Sequence, residues 1–544
     1  MNKLKLPPIS VSTYAFILSL HSAYQFIKNG THTAFEWTTT QDIPFILRLI
    51  DSDFITNDFY TNSVIGSPRF LFSYFIYGFT LIGIDWYFAL YFLKFIGVVI
   101  ISPLLFFTAY KIFVRWNPNL PSKIYEIVKF LLLLGFIGKM SLVNGHSFSQ
   151  APFGWTAIQT YHFVSPMTVS FIIGLIYNLV SFDDKKLNKL SFLLLLLSTL
   201  MHPVIGICHF IISVLFLLPI SFCKKTISKF ILDFIIGIFT PILILTFYFS
   251  GISIVNASTF IDYYVILRHP HHYLMSGVIN KHTVKWVILF LIPVYYSIKT
   301  KDKNCTILSF LIFSSFIAAP IFQFLGTEIF NIKGIAKLGP SRFTAYASIL
   351  WLLNSLIVGT VVYKEKKFSR SINKLAFYIQ TSLSLFQRFL KKPLIIMFIP
   401  FLIISFLKTY QHPLDYYNKQ SAKALIEWVS KNTSEDSVFF VRELDSFLIR
   451  VYGQRAIFAD TAFPFNENYI TEFAERLIIH KNSSTFQPHE YACLKHHYTV
   501  DYLIVPSKEQ FKNQSHIFSS PHWVIYDIDT FHLEEPCDKT KLLL

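Results

Sequence analysis

The sequence predicts an α-helical polytopic membrane protein that carries a small α/β domain at its C-terminal end. Hydrophobic residues make up 53% of its 544 positions and charged residues only 15%, and a soluble fold of this size cannot bury so much apolar surface. Lysine and arginine lie in short segments between apolar runs, as the positive-inside rule describes. This placement accounts for the net charge of +16 without a nucleic-acid partner. After about residue 410 the composition becomes that of a soluble domain.

Apolar segments of membrane-spanning length predict about eleven transmembrane helices within a transmembrane domain, 1–410. Residues 70–84 are apolar but short and contain Gly78 and Gly83, so we expect a helix in the outer membrane interface instead of a span. With this choice the basic loops fall on the cytoplasmic side, which places the N-terminus inside and the C-terminal domain outside. We expect no cleavable signal peptide. The predicted spans are 10–28, 86–110, 124–142, 164–181, 187–201, 203–222, 228–250, 284–299, 305–323, 343–363 and 393–409.

Residues 411–544 are predicted to form an external α/β domain, and a segment of this length can fold independently. Cys493 and Cys537 both lie in it, on the side of the membrane where a disulfide can form. The sequence leaves open whether they pair, and it contains no Cys/His spacing typical of zinc sites. The predicted elements are helices at Ser421–Lys431 and Asn466–His480 and strands at Asp436–Val441, Tyr502–Val505 and Trp523–Ile528.

The first external loop, 28–69, is acidic in a chain that is otherwise basic. It contains Asp42, Asp51, Asp53 and Asp58. One interpretation is a solvated loop facing the non-cytoplasmic side. The other is a polar site at the membrane surface, with carboxylates acting as a base or as metal ligands, Asp51 and Asp53 being the candidates for a metal.

The loop 251–283 contains the sequence RHPHHY, from Arg268 to Tyr273. Three histidines and one arginine within five positions form a dense set of hydrogen-bond donors. Such a set suits a phosphate or pyrophosphate, and it also suits a transition metal. A purely structural role is the third interpretation, and all three remain open. The donors are Arg268, His269, His271 and His272.

Further ionisable residues fall in the other outer loops. The loop 324–342 holds Glu328 and the basic residues Lys333, Lys337 and Arg342. These cations either bind the same phosphate as the RHPHHY donors or reach lipid headgroups. Ionisable groups near membrane depth often mark functional sites. Three histidines are candidates on this ground, each with an ordinary interfacial or helix-capping role as the alternative: His146, His162 and His202.

The layout resembles that of the GT-C class of membrane glycosyltransferases. In that class a first span leads to a long acidic external loop with interfacial helices, a multi-span body follows, and many members end in an external domain. Here Asp51-Ser52-Asp53 is a DxD motif, and Ser67-Pro68-Arg69 precedes the interfacial helix in a similar place. The RHPHHY stretch and the segments ALIEWVSKNTSEDSVFFV and VDYLIVP resemble a group of uncharacterised bacterial proteins often likened to that class. The chain lacks the paired Asp-Glu that protein mannosyltransferases carry in this loop.

The resemblance implies a sugar donor linked to polyprenyl phosphate, an acceptor that is a glycan, a lipid or a protein, and a location in a bacterial inner membrane. It implies inverting attack assisted by an external carboxylate. Asp42 is the first choice by position, and Asp51, Asp53 or Asp58 could replace it or bind a divalent metal. The leaving phosphate would be stabilised by cationic hydrogen-bond donors, with Arg268, His269, His271 and His272 as the first choice and Lys337 and Arg342 as the second. The sequence identifies no definite cofactor.

Two other functions remain open. A non-enzymatic carrier or flippase of a lipid-linked glycan would place polar groups through the midplane of the spans. Here the spans carry few charges, among them Lys94, Lys139 and Asp233, and polar groups concentrate in the outer loops. This favours an enzyme. A polysaccharide polymerase or ligase would share substrates and large external loops. Among soluble-enzyme signatures, neither a Walker-type loop nor GxSxG nor HExxH is present.

Overall fold

The computed structural model forms two compact units, each built from distant parts of the chain. The helical unit contains Met1–Thr31, Leu90–Phe247 and His269–Tyr410, and the α/β unit contains His32–Ala89, Tyr248–Arg268 and Gln411–Leu544. The structure describes residues 10–29, 39–64, 70–137, 166–182, 188–221, 231–243, 255–268, 270–276, 281–364, 378, 400–404, 406–407, 410, 422–444, 446–460, 463–464, 467–533 and 537–543.

Most of the described chain is helical. In the first half the helices are α1 (Val11–Asn29), α2 (Thr39–Ile50), α3 (Phe59–Val64), α4 (Phe70–Leu81), α5 (Trp86–Trp116), α6 (Ser122–Ile137), α7 (Pro166–Ser181), α8 (Asn188–Met201), α9 (Pro203–Ser221), α10 (Ile231–Leu243) and α11 (Ala257–Ile261). The helices that follow are α12 (Pro270–Tyr273), α13 (Lys281–Lys299), α14 (Lys303–Gln323), α15 (Lys333–Leu338), α16 (Ala347–Lys364), α17 (Ala422–Asn432), α18 (Ile470–Asn482), α19 (Pro488–Tyr498) and α20 (Lys539–Leu543).

Among the described residues, three helical stretches are long and apolar enough to cross a membrane. They are Trp86–Trp116, Lys303–Ile329 and Lys333–Lys364, and shorter apolar helices accompany them. A bilayer core of about 30 Å needs roughly 20 apolar residues in a helix. The described part of the chain is therefore mostly helical, with three candidate membrane-spanning helices and a small sheet, and the count of eleven spans stays a prediction.

The core of the helical unit is built from large aromatic and aliphatic side chains. Phe106, Phe113 and Phe316 are fully buried. Close helix contact depends on small residues, because a Cβ on Gly174 would lie 2.2 Å from Cδ2 of His209. Tryptophan side chains also tie helices together, as where Nε1 of Trp351 donates to the backbone carbonyl of Leu289 at 2.9 Å.

The α/β unit is built around a five-stranded sheet of order β2-β1-β3-β5-β4. The central strands β1 and β3 are parallel, whereas β5 is antiparallel to both of its neighbours. All four residues of β1, VFFV, are buried, as expected for a strand covered on both faces. The strands are β1 (Val438–Val441), β2 (Ala456–Ile457), β3 (Tyr502–Pro506), β4 (Phe518–Ser519) and β5 (Trp523–Asp527).

Cys493 and Cys537 form a disulfide, with their Cα atoms 5.5 Å apart. The bond joins α19 to the segment before α20. The chain between the two cysteines includes β3, β4 and β5, so the covalent link closes a loop that contains much of the sheet.

Candidate functional site

The acidic turn, Asp51–Asn57, follows the end of α2. Asp51 and Asp53 are both exposed, so their carboxylates face solvent. The turn is ordered by its own hydrogen bonds. The backbone N–H of Asp53 donates to the Asp51 carboxylate at 3.0 Å, and the N–H of Phe54 donates to the Asp51 carbonyl at 3.1 Å. Asp42, by contrast, is 5% exposed in the first turn of α2, where a carboxylate is favoured by the helix dipole.

Arg48 holds the inner side of the acidic turn. Its guanidinium donates to the backbone carbonyls of Phe54 and Ile55, both of which have buried side chains. Burial lowers the pKa of Arg48, and the negative charges of Asp58, Asp51 and Asp53 act in the opposite direction. Ile55 has φ of 39°, a conformation rare for a β-branched residue that costs about 1–3 kcal/mol. The surrounding contacts therefore impose this turn on the chain.

Asp58 is the fully buried aspartate of the first loop, at 0% exposure. One carboxylate oxygen accepts from the backbone N–H and the hydroxyl of Thr61, both at 2.7 Å, and from two nitrogens of Arg450 at 2.9 and 3.2 Å. The other oxygen accepts from the N–H of Ile457 at 3.2 Å. These contacts account for Asp58 as a structural group, and we therefore leave it out of the chemistry proposed below.

Arg450 lies in a π-helical turn, Leu448–Tyr452, and is 1% exposed. It bridges Asp58 and Asp460, whose carboxylate lies 3.0 Å from Nη1. Burial lowers the pKa of Arg450, but the two carboxylates outweigh that effect and the net shift is upward. The guanidinium therefore stays charged inside the α/β unit.

Arg268 also belongs to the α/β unit. Its guanidinium lies over the rings of Tyr264 and Phe463, 5.7 and 5.4 Å from their centroids. Lys481 brings a second cation close by, because its Nζ donates to the carbonyl of Leu267 at 2.6 Å. Arg268, the first residue of RHPHHY, therefore packs over two aromatic rings, and Lys481 provides a second positive charge nearby.

The remainder of RHPHHY belongs to the helical unit, where Tyr273 joins it to the loop 324–342. The Tyr273 hydroxyl accepts from Nη2 of Arg342 at 2.8 Å, and the Arg342 guanidinium also lies 5.5 Å from the Tyr273 ring centroid. The buried Gln323 side chain links both segments, since it donates to the Tyr273 carbonyl at 2.8 Å and accepts from the Ser341 N–H at 2.9 Å. Two loops that the sequence treats separately thus form one structure, here called the Tyr273–Arg342 lock.

Glu328 adds a second connection within the lock. Its carboxylate accepts from the backbone N–H groups of Met275, at 2.5 Å, and Ser276, at 3.2 Å. Lys337, near the end of α15, is exposed. Gly339 then ends α15 in the left-handed conformation, with φ of 57° and ψ of 63°, and its carbonyl accepts from the Arg342 backbone N–H at 3.0 Å. Glu328 therefore has a structural role, while Lys337 and Arg342 supply positive charge.

The predicted histidines divide into three groups. His146, His162 and His269 lie outside the described residues. His271 and His272 lie in α12, but their side chains are outside the description. His202 is buried between α8 and α9. Its backbone N–H donates to the Ser198 carbonyl at 3.0 Å, and its backbone carbonyl accepts from the Gly206 N–H at 3.1 Å.

Sequence reasoning missed His209, which is fully buried in α9. Its Nδ1 lies 2.5 Å from Oδ1 of Asn178, and its Nε2 lies 3.4 Å from the Tyr346 hydroxyl. These groups line a small apolar cavity between helices. The sequence feature that could have identified it is an isolated histidine within an apolar segment. Burying such a polar group costs free energy unless it is hydrogen-bonded, so its presence indicates a partner.

No family model matches the chain, and no curated protein matches it. Solved structures that resemble it include the Archaeoglobus fulgidus oligosaccharyltransferase tethered with an acceptor peptide that contains the NVT sequon. The two share 12% sequence identity and a TM-score of 0.41, over 91% of this chain and 69% of that one. A likeness at this level establishes neither the family nor the activity of the chain.

Proposed function

We propose that the protein is a membrane glycosyltransferase that moves a sugar from a polyprenyl-phosphate-linked donor to an acceptor. The observation that carries the proposal is the Tyr273–Arg342 lock, in which a half-buried guanidinium is held by a tyrosine hydroxyl and ring. A preorganised arginine suits phosphate oxygens, because its planar donors match them in pairs. Membrane-spanning helices in the same chain fit a donor that carries a lipid tail.

The proposed reaction is inverting. The acceptor oxygen attacks the anomeric carbon, the bond from that carbon to the phosphate oxygen breaks, and the prenyl phosphate leaves with the electron pair. The acceptor proton passes to a carboxylate, and developing charge on the phosphate is stabilised by cations. We assign the base to Asp51 or Asp53, because they are exposed on an ordered turn, with Asp42 as the positional alternative. Each unit has its own candidates for a cation that binds phosphate: Arg342 and Lys337 in the helical unit, and Arg268 in the α/β unit.

The exposed pair Asp51 and Asp53 is also compatible with a divalent metal. Hard cations such as Mg²⁺ and Mn²⁺ prefer carboxylate oxygens and retain several waters. One Asp51 oxygen already accepts the Asp53 N–H, which fixes the orientation of that carboxylate. Transfer measured with chelator and then with added Mg²⁺ or Mn²⁺ decides between a metal ligand and a metal-free base.

The first experiment measures transfer in membranes from a radiolabelled extract of polyprenyl-phosphate sugars. Asp53→Asn should reduce turnover on the order of 10²- to 10⁴-fold if Asp53 is the base. Asp262→Asn is the matched control, since Asp262 is another exposed aspartate of the same unit. Normal transfer by Asp51→Asn, Asp53→Asn and Asp42→Asn alike would remove the base assignment.

The phosphate assignment is tested with Tyr273→Phe, which deletes one hydroxyl and keeps the ring. Loss of a hydrogen bond to a charged group costs about 1.5–3 kcal/mol, so the donor KM should rise roughly tenfold or more. Tyr296→Phe, at an exposed tyrosine of the same unit, is the control. An unchanged donor KM in Tyr273→Phe would contradict the role of the lock.

The location and domain roles are part of the proposal. We place the protein in a bacterial inner membrane with eleven spans, the N-terminus in the cytoplasm and residues 411–544 in the periplasm, where this segment helps to select a glycan, lipid or protein acceptor. Reporter fusions after each predicted span and at the C-terminus test the topology. A cytoplasmic C-terminal reporter would overturn it.

A lipid-linked glycan carrier is the second candidate, favoured by charged groups inside apolar helices. Lys129 and Glu126 of α6 form a buried ion pair at 2.7 Å, and buried Asp233 accepts from the Tyr177 hydroxyl at 3.2 Å. Intramembrane ionisable groups often line substrate or proton paths. A carrier would move labelled lipid-linked glycan across proteoliposomes without any transfer to an acceptor, and Glu126→Gln would slow that movement.

A further inference from the structure

We propose that Arg450 is a positioning residue, which holds the acidic turn in place from the C-terminal sheet region of the same unit. The inference rests on the proposed function, because it concerns the carboxylates Asp51 and Asp53 assigned there. Arg450 itself lies too deep to meet a substrate, at 1% exposure. It would act on the reaction through the chain that it anchors.

The anchor joins residues far apart in sequence. Nε and Nη2 of Arg450 donate to Asp58 at 3.2 and 2.9 Å, and Nη2 also donates to the Thr61 hydroxyl at 3.0 Å. Nη1 donates to Asp460 at 3.0 Å. Asp58 and Thr61 belong to the first-loop segment, whereas Asp460 follows β2. These hydrogen bonds are directional, so they favour the observed position of the first-loop segment.

Holding two segments together with buried charges costs free energy of desolvation. Apolar side chains of similar volume often stabilise a fold as well or better, since no charge must then be desolvated. What the charges and their hydrogen bonds add is specificity of position, because a shifted pairing leaves a buried charge without its partners. We therefore interpret the cluster as a device that fixes where the first loop sits.

The anchor is connected to the catalytic carboxylates by two consecutive hydrogen-bonded turns. The N–H of Asp58 donates to the Ile55 carbonyl at 2.9 Å, and the N–H of Phe54 donates to the Asp51 carbonyl at 3.1 Å. The buried side chains of Phe54 and Ile55 leave little freedom between these turns. A displacement of Asp58 would therefore be passed to Asp51 and Asp53.

Further contacts hold the same segment against the sheet region. The Asn57 side chain donates to the Asp436 carbonyl, just before β1. The Phe59 ring packs against Tyr469, with centroids 5.5 Å apart, and lies 4.5 Å from the Arg476 guanidinium. These contacts set the general docking of the segment, and the Arg450 cluster sets its register.

The test compares Arg450→Lys with Arg455→Lys in the full-length protein. Lysine keeps the charge at position 450 but cannot make the paired contacts. Arg455 is the matched control. It is 3% exposed in the same unit, and its guanidinium bonds Thr433 and the backbone carbonyls of Ser430 and Gln454. Both variants lose a buried arginine network, but only one network includes the acidic loop.

Amide hydrogen exchange and transfer kinetics are measured on each variant. We expect Arg450→Lys to accelerate exchange of the acidic-turn amides about tenfold or more and to lower kcat, with the donor KM within about twofold of wild type. Arg455→Lys should change neither the turn exchange nor kcat. A general loss of stability would instead affect both variants alike.

Unchanged exchange of the acidic turn in Arg450→Lys overturns the inference, whatever the activity. Faster exchange with an unchanged kcat also overturns it, because the turn would then not need fixing. If wild type transfers no sugar, the proposed function fails, and the exchange measurement still decides whether Arg450 positions the turn.

Discussion

Gly339 offers a sharp test of the Tyr273–Arg342 lock. Its φ of 57° lies in the left-handed region, where a Cβ costs roughly 1–2 kcal/mol. An added Cβ would lie 3.4 Å from Cε1 of Tyr273 and Nε of Arg342, which is ordinary van der Waals contact, so backbone strain dominates the cost. We expect Gly339→Ala to destabilise the helical unit by about 1–2 kcal/mol.

Gly334 is the matched position, five residues earlier in the same segment. It lies inside α15 with open space where a Cβ would be. Alanine is favoured over glycine in a helix by roughly 0.5–1 kcal/mol, so Gly334→Ala should stabilise or leave stability unchanged. The same substitution is therefore expected to lower stability at Gly339 but not at Gly334.

The assay follows the reaction of a thiol-specific dye with Cys208 and Cys305 on heating. Both thiols are buried in the helical unit, so they report its unfolding. A Cys223→Ser background removes a third thiol. We expect Gly339→Ala to have a lower midpoint temperature than wild type, and Gly334→Ala to have one equal to or higher than that of wild type. A Gly339→Ala midpoint at or above that of wild type would refute the left-handed turn.

Three other predictions concern the α/β unit. Burial lowers the pKa of His480 from its ordinary 6.5, although the hydrogen bond to the Val441 carbonyl acts in the opposite direction. As the pH falls below about 6.5, the unfolded chain therefore takes up a proton before the folded chain does, and stability is lost between that pH and the lower pKa of the folded state. His480→Gln should flatten this pH dependence in urea unfolding. Reducing the bond between Cys493 and Cys537 should cost about 2–4 kcal/mol of unfolding free energy for a separation of 44 residues, measured by urea unfolding with and without dithiothreitol. Arg450→Ala should cost about 3–5 kcal/mol in the same assay, because it leaves the Asp58 charge buried, and a loss below 1 kcal/mol would contradict the buried ion pair.

Local sequence patterns predicted most of the secondary structure of the C-terminal segment. The predicted strands at Asp436–Val441, Tyr502–Val505 and Trp523–Ile528 correspond to β1, β3 and β5, because each is a short apolar run bounded by polar residues. The two-residue strands β2 and β4 were missed, since two residues show no periodicity. Helix α19 was also missed, because PHEYACLKHHY has no clear apolar face.

The candidate site was harder to predict. The sequence offered Asp51, Asp53 and Asp58 alike as substitutes for Asp42 in the role of the base. The structure separates them, with two exposed on a turn and Asp58 buried against Arg450, nearly four hundred positions away. Charge and spacing along a chain do not show which carboxylate meets a distant guanidinium.

Composition and hydropathy alone determined that the chain is a helical membrane protein with a small α/β segment, because apolar length and local periodicity are properties of neighbouring residues. Only the tertiary structure decided that RHPHHY is divided between two units, that Tyr273 holds Arg342, and that the first loop is anchored by Arg450. Each of these depends on contacts between segments far apart in sequence. Such contacts are selected by packing and by the cost of leaving a buried charge without a partner, and neither can be read from local order.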